Sequence, residues 1–209
     1  MTNRGTIRVA IMMLAAWAGT AHAQSTIVLP RAGQVGLGAG GGYAGMASSG
    51  NVGDTFGSGP FLWARLRYRM RYDRAVALAF ENQRLDARRA APPFDPAFPD
   101  RVAPTRLSVV LSGFEFYQMF GTRQRTVRML MVGAGLAQLR ASMNSGETQV
   151  LGFPWAGDGL YVSAGAGVER FFYRSWAFDL SARYHAIFRE GKPNHDVQAA
   201  LGVIIYASQ

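Results

Sequence analysis

The sequence predicts an all-β protein, an eight-stranded antiparallel up-and-down transmembrane β-barrel. Three observations carry this. The chain opens with a leader of secretory type, strand-like segments recur eight times, and the connections between them alternate between long and short.

The leader has three parts. Arg4 and Arg8 give it a basic start, "VAIMMLAAWA" (9–18) is apolar, and "AHA" at 21–23 is a small-residue cleavage site. An apolar run of about ten residues is too short for a membrane helix, which needs about 20. The expected organisation is therefore a signal peptide at 1–23 and one β-barrel domain at 24–209, exported after cleavage. The chain has no cysteine, so disulfides do not hold it. It carries 22 basic against 13 acidic residues, for a formal charge of +9, and Lys192 is the only lysine among the basic ones. An exported chain of this charge meets anionic lipid head groups or lipopolysaccharide phosphates rather than nucleic acid.

The strands follow in order. "QVGLGAGGGY" (34–43) is a first, glycine-weakened strand. "LWARLRYRMRY" (62–72) sets Leu62, Ala64, Leu66, Tyr68, Met70 and Tyr72 on one parity and Arg65, Arg67, Arg69 and Arg71 on the other. That alternation fits a strand with unlike faces; on a helix the arginines would spread around the circumference. "AVALAFENQRL" (75–85) sets Val76, Leu78 and Phe80 against Ala77, Ala79, Glu81 and Gln83. "RLSVVLSGFEFYQ" (106–118) and "VRMLMVGAGLAQLRA" (127–141) are β-rich but leave their facing open. "GLYVSAGAGVERFFY" (159–173), "WAFDLSARYHAIF" (176–188) and "DVQAALGVIIY" (196–206) alternate again. Most segments reach the length of about 9–11 tilted residues that crosses a bilayer.

The connections decide the class. Long segments at about 44–59, 86–105 and 142–158 alternate with short ones near Asp73-Arg74, at 121–125 and at 174–175, and an intermediate one at 189–195 follows. Transmembrane barrels pair short periplasmic turns with longer extracellular loops in this way.

With the leader and the loop pattern, "SAGAGVERFFYRSWAFDLSARYHAIF" (163–188) and the closing "HDVQAALGVIIY" (195–206) resemble the small eight-stranded outer-membrane barrels of Gram-negative bacteria, the OmpA-barrel and OmpX type. The first of these looks like the sixth-to-seventh hairpin of that family. The family usually ends on an aromatic residue read by the insertion machinery, whereas here Ala-Ser-Gln follows Tyr206. The resemblance implies a bacterial outer-membrane location and a monomer, with outer-membrane lipid, lipopolysaccharide and the insertion machinery as partners. It implies no cofactor, no nucleic acid and no catalysis, with a structural, surface-interaction or narrow-channel role.

In such a barrel the arginines of the second strand point into the lumen and need partners, because an unpaired interior charge is costly. The expected network is Arg65, Arg67, Arg69, Arg71 and Arg183 with Glu81, Glu115, Glu169 and Asp179. A three-residue turn at 73–75 would set Arg67 opposite Glu81, and Arg69 and Arg71 opposite Ala79 and Ala77. Arg84, Arg88, Arg89, Arg101 and Arg106 flank or occupy the proline-rich loop and are candidates for lipopolysaccharide contact.

Other motifs weigh less. "GLGAGG" (36–41) has the letters of a dinucleotide fingerprint without the helix that must follow. The recurrent "GAG" fits small residues that make space for lumen side chains. "HAIFREGKPN" (185–194) partly echoes the barrel lipid A deacylases, but Ile187 stands where that motif has its serine, so a hydrolase would lack its nucleophile. His185 and His195, with Asp196, are too few for a histidine-rich metal site. Besides the hydrolase, one rival remains: a soluble, lipocalin-like periplasmic ligand binder, which would turn the arginines to water.

Overall fold

In a computed structural model the chain closes into a barrel of eight antiparallel strands, each paired with its sequence neighbours and the last with the first. The structure describes residues 31–47, 52, 56–87, 106–142, 157–189 and 193–207. The leader at 1–23 lies outside them, as do Arg88, Arg89 and Arg101. The strands are β1 (Val35–Met46), β2 (Ser58–Arg69), β3 (Arg74–Asp86), β4 (Arg106–Phe120), β5 (Thr126–Ser142), β6 (Gly157–Tyr173), β7 (Trp176–Phe188) and β8 (Asn194–Tyr206). The connections 70–73, 121–125 and 174–175 lie at one end of the barrel, and the strand ends that lead into the three long connections and into 189–193 lie at the other.

Along every strand, lumen-facing residues alternate with wall-facing ones, as closure requires. The lumen is the core, and it is layered. Near the short turns it is filled by Met119, Val127, Met129, Phe171 and Ala177; near the long loops by Met46, Phe61, Leu85, Leu107, Val109 and Leu139. Charged residues occupy the level between. Glycines on the inner face of β1 make this packing possible: a Cβ on Gly36 would lie 2.7 Å from Tyr206 Cε1, and one on Gly40 2.8 Å from Trp63 Cε2. The "GLGAGG" stretch thus lies within β1 and makes room for large rings on neighbouring strands.

The β2–β3 hairpin corrects one expectation. Tyr68 pairs with Val76 and Arg67 with Ala77, while Glu81 lies opposite Trp63. The turn is residues 70–73, not 73–75, and the register is displaced by an even number of positions. The facing of every β2 and β3 residue within the strands therefore survives the shift. Arg71, expected in the lumen, instead lies in the turn and is exposed, its N–H donating to the Arg74 carbonyl at 3.1 Å. Arg69 faces Ala75, not Ala79.

Candidate functional site

Three guanidinium groups enter the lumen from β2, and β3 leaves room by placing Ala79, Ala77 and Ala75 opposite Arg65, Arg67 and Arg69. Each arginine crosses to other strands. Arg65 Nη2 donates to Glu81 Oε1 at 2.6 Å, and its Nε lies 3.2 Å from Glu115 Oε2. Arg67 pairs with Glu169 of β6 and reaches Asp179 Oδ2 of β7 at 3.3 Å. Arg69 Nη2 donates to Glu169 Oε2 at 3.1 Å. Arg183 of β7 pairs with Glu115 and lies 3.7 Å from Glu81 Oε1. All eight side chains are buried.

Aromatic rings complete the cage. Arg65 lies over Trp63, Arg67 over Tyr117 and Arg69 over Tyr206, with guanidinium-to-centroid distances of 4.2, 4.0 and 4.9 Å. Such stacking suits the planar, weakly hydrated guanidinium better than an ammonium. The Tyr206 hydroxyl donates to Glu169, and Tyr117 donates to Glu115.

The network extends beyond the expected residues. Asp196 of β8 accepts from Gln83 Nε2 and Gln198 Nε2, both at 3.0 Å. His185 sits between carboxylates, its Nδ1 3.4 Å from Asp196 Oδ2 and its Nε2 3.8 Å from Glu81 Oε2. Arg65, Arg67, Arg69 and Arg183 thus meet Glu81, Glu115, Glu169 and Asp179, while Asp196 is held by the two glutamines and lies beside His185. The signal for Asp196, Gln198 and Tyr206 was present in β8, since they share the parity opposite to Val197, Ala199 and Leu201. His185 and His195 do not converge on a common site. His185 points into the lumen, whereas His195 stacks on Tyr184, a wall residue. Ile187, at the position of the hydrolase serine, also faces inward and is buried.

The outer wall has the opposite chemistry. Leu62, Leu66, Leu78, Phe80, Phe114, Leu136, Leu160, Leu180 and Leu201 are exposed on it. Charges appear only toward its ends. On β5 Arg128 and Arg140 bracket Leu130, Val132, Ala134 and Leu136; on β6 Arg170 and Asp158 bracket Leu160 to Val168. Those brackets are twelve residues apart, which at the rise and tilt of barrel strands spans about 30 Å, matching a hydrocarbon layer with its edges. Tyr68, Phe120, Tyr173 and Trp176 lie on the wall near the short turns, where aromatic girdles sit. That end also exposes Arg71, Arg74, Arg123, Arg125 and Arg174, with Asp73 as the one exposed acid among the described residues there. Toward the long loops, Arg84, Ser108 and Arg140 are consecutive partners on the outer face of β3, β4 and β5, and Arg106 stands beside them, 3.5 Å from Asp86.

No family model matches the sequence, and no curated protein does. Solved structures match. Neisserial surface protein A aligns with a TM-score of 0.57 at 16% identity, over 82% of this chain and 96% of that one. The outer membrane protein OprG of Pseudomonas aeruginosa aligns with a TM-score of 0.56 at 13% identity, over 88% and 100%. The fold is that of the small eight-stranded outer-membrane barrels. A third match is Ail, the attachment invasion locus protein of Yersinia pestis, in complex with the heparin analogue sucrose octasulfate, at TM-score 0.52 and 13% identity over 84% and 99%. At these identities the likeness is one of fold.

Proposed function

We propose that this chain is an integral protein of the bacterial outer membrane, exported by its leader, that neither catalyses a reaction nor conducts. Its working surfaces are the outer wall and the long-loop end. The observation that carries this reading is the filled lumen: a cross-linked layer of arginines and carboxylates, buried between two apolar layers. Eight strands enclose an interior just wide enough for side chains to fill, and here they fill it. A non-catalytic role is supported by His185, whose two ring nitrogens both face carboxylates.

The barrel is a monomer placed by the outer-membrane insertion machinery, with lipid around its wall. Arg84 and Arg140, in one row across Ser108, and Arg106 beside them contact lipopolysaccharide phosphates at the long-loop end. Arg140 was not among the sequence candidates.

The test is electrical. Purified protein reconstituted into planar bilayers gives no discrete conductance steps above those of the empty membrane. Reproducible unitary steps that grow with salt concentration would overturn the closed-lumen reading in favour of a narrow channel.

A further inference from the structure

The outer wall is not uniformly bulky. Ala166, Ala182 and Ala199 are consecutive register partners across β6, β7 and β8, and all three face outward. Beside Leu130, Val168 and Leu180, which also line it, they leave an apolar groove of about 690 Å³. The groove is largely open along the wall rather than enclosed. Phe120 and Arg128 line the groove toward the short turns.

Arg128 does not stand alone there. Thr126 pairs with Arg170 and Arg128 with Val168, so Arg128 and Arg170 are diagonal neighbours on the outer face of β5 and β6. Such neighbours stand about 7–8 Å apart. Both are exposed, and among the described residues neither has an ion-pair partner. Two adjacent guanidinium groups without a carboxylate repel each other and favour an anion between them, phosphate above all.

We propose that the groove is a seat for one anionic phospholipid of the leaflet at the short-turn end. The phosphate lies on Arg128 and Arg170, and an acyl chain lies along Ala166, Ala182 and Ala199. The proposal rests on the reading of the chain as a membrane barrel. Charge complementarity selects this occupant: the exposed charges of the short-turn end are almost all arginine, which concentrates anionic head groups there. A second copy seated on the same groove would press the Arg128–Arg170 pairs of two chains together with no carboxylate between them. An anionic glycan polymer would meet the arginines but has no use for the apolar groove.

The test uses the full-length protein folded in detergent with added phosphatidylglycerol or phosphatidylcholine, and bound lipid is read by native mass spectrometry. Heat-dependent gel migration of each sample reports folding separately. Wild type is expected to retain one phosphatidylglycerol in preference to phosphatidylcholine. The double variant Arg128→Gln/Arg170→Gln loses that retention by about thirtyfold, from roughly two surface arginine contacts. Ala182→Phe, which fills the groove without touching the charges, also releases the lipid, whereas Arg71→Gln/Arg74→Gln does not. Equal retention of both lipids, loss with Arg71→Gln/Arg74→Gln as great as with the groove pair, competition by a soluble anionic glycan alone, or a lipid-free dimer would each overturn the proposal. Absence of the heat-dependent shift in wild type would instead sink the membrane-barrel reading beneath it.

Discussion

Arg65, Arg67 and Arg69 stand at alternate positions of one strand, yet they meet different carboxylates because the lumen curves around them. Arg65 reaches Glu81 on the adjacent strand and Glu115 one strand further, while Arg67 and Arg69 cross to Glu169 on β6. Each pair is desolvated, so removing one partner leaves a buried charge and costs about 3–5 kcal/mol. A double-mutant cycle on urea unfolding in lipid vesicles separates direct partners from neighbours. Arg65→Met with Glu81→Gln should show a coupling of at least about 1 kcal/mol, and Arg67→Met with Glu81→Gln a much smaller one. Equal coupling in the two cycles would contradict the observed register. The inward facing of Arg65, Arg67 and Arg69 within β2 was legible in the sequence, because alternation reports facing. Their pairing was not. The apolar parity of β2 runs on through Met70 and Tyr72, although pairing stops at Arg69 where the chain turns. Alternation says which way a side chain points and nothing about where a strand ends, so by itself it carries Arg71 into the lumen with the others.

At the level of elements, β4 and β5 resisted the same reading for a physical reason. Toward the long loops the lumen is itself apolar, so Leu107, Val109 and Leu111 inside β4 face the same kind of neighbours as Val110 and Phe114 outside it. Period-2 contrast disappears when both faces are apolar. On β5 the arginines lie on the outer parity, opposite to those of β2, because Arg128 and Arg140 sit at the two edges of the apolar band rather than within the lumen. The Arg84–Ser108–Arg140 row exists only through the register of three strands, and a sequence without pairings could not reveal it. Changing Arg84, Arg106 and Arg140 together to glutamine should lower the lipopolysaccharide that copurifies with the barrel by at least about tenfold, while gel-shift folding is retained. Unchanged lipopolysaccharide content, measured by mass spectrometry, would remove that face as the contact.

The whole molecule sorts its chemistry by position. Among the described residues, charges are paired inside the lumen or set at the two ends, and the wall between them is apolar over a span that matches a bilayer. The eight strands, their order and the two ends were all legible from loop lengths and patterning, since closure by sequence neighbours needs no crossover. A soluble, lipocalin-like barrel would carry the reverse distribution, with an apolar lumen throughout and arginines in water. The most direct test of the account is therefore heat-modifiability on a detergent gel, run on the outer-membrane fraction of cells expressing the full chain. An outer-membrane barrel is found in that fraction, and its unboiled form migrates differently from its boiled form. A protein found in the soluble periplasm, with no shift on boiling, would contradict it.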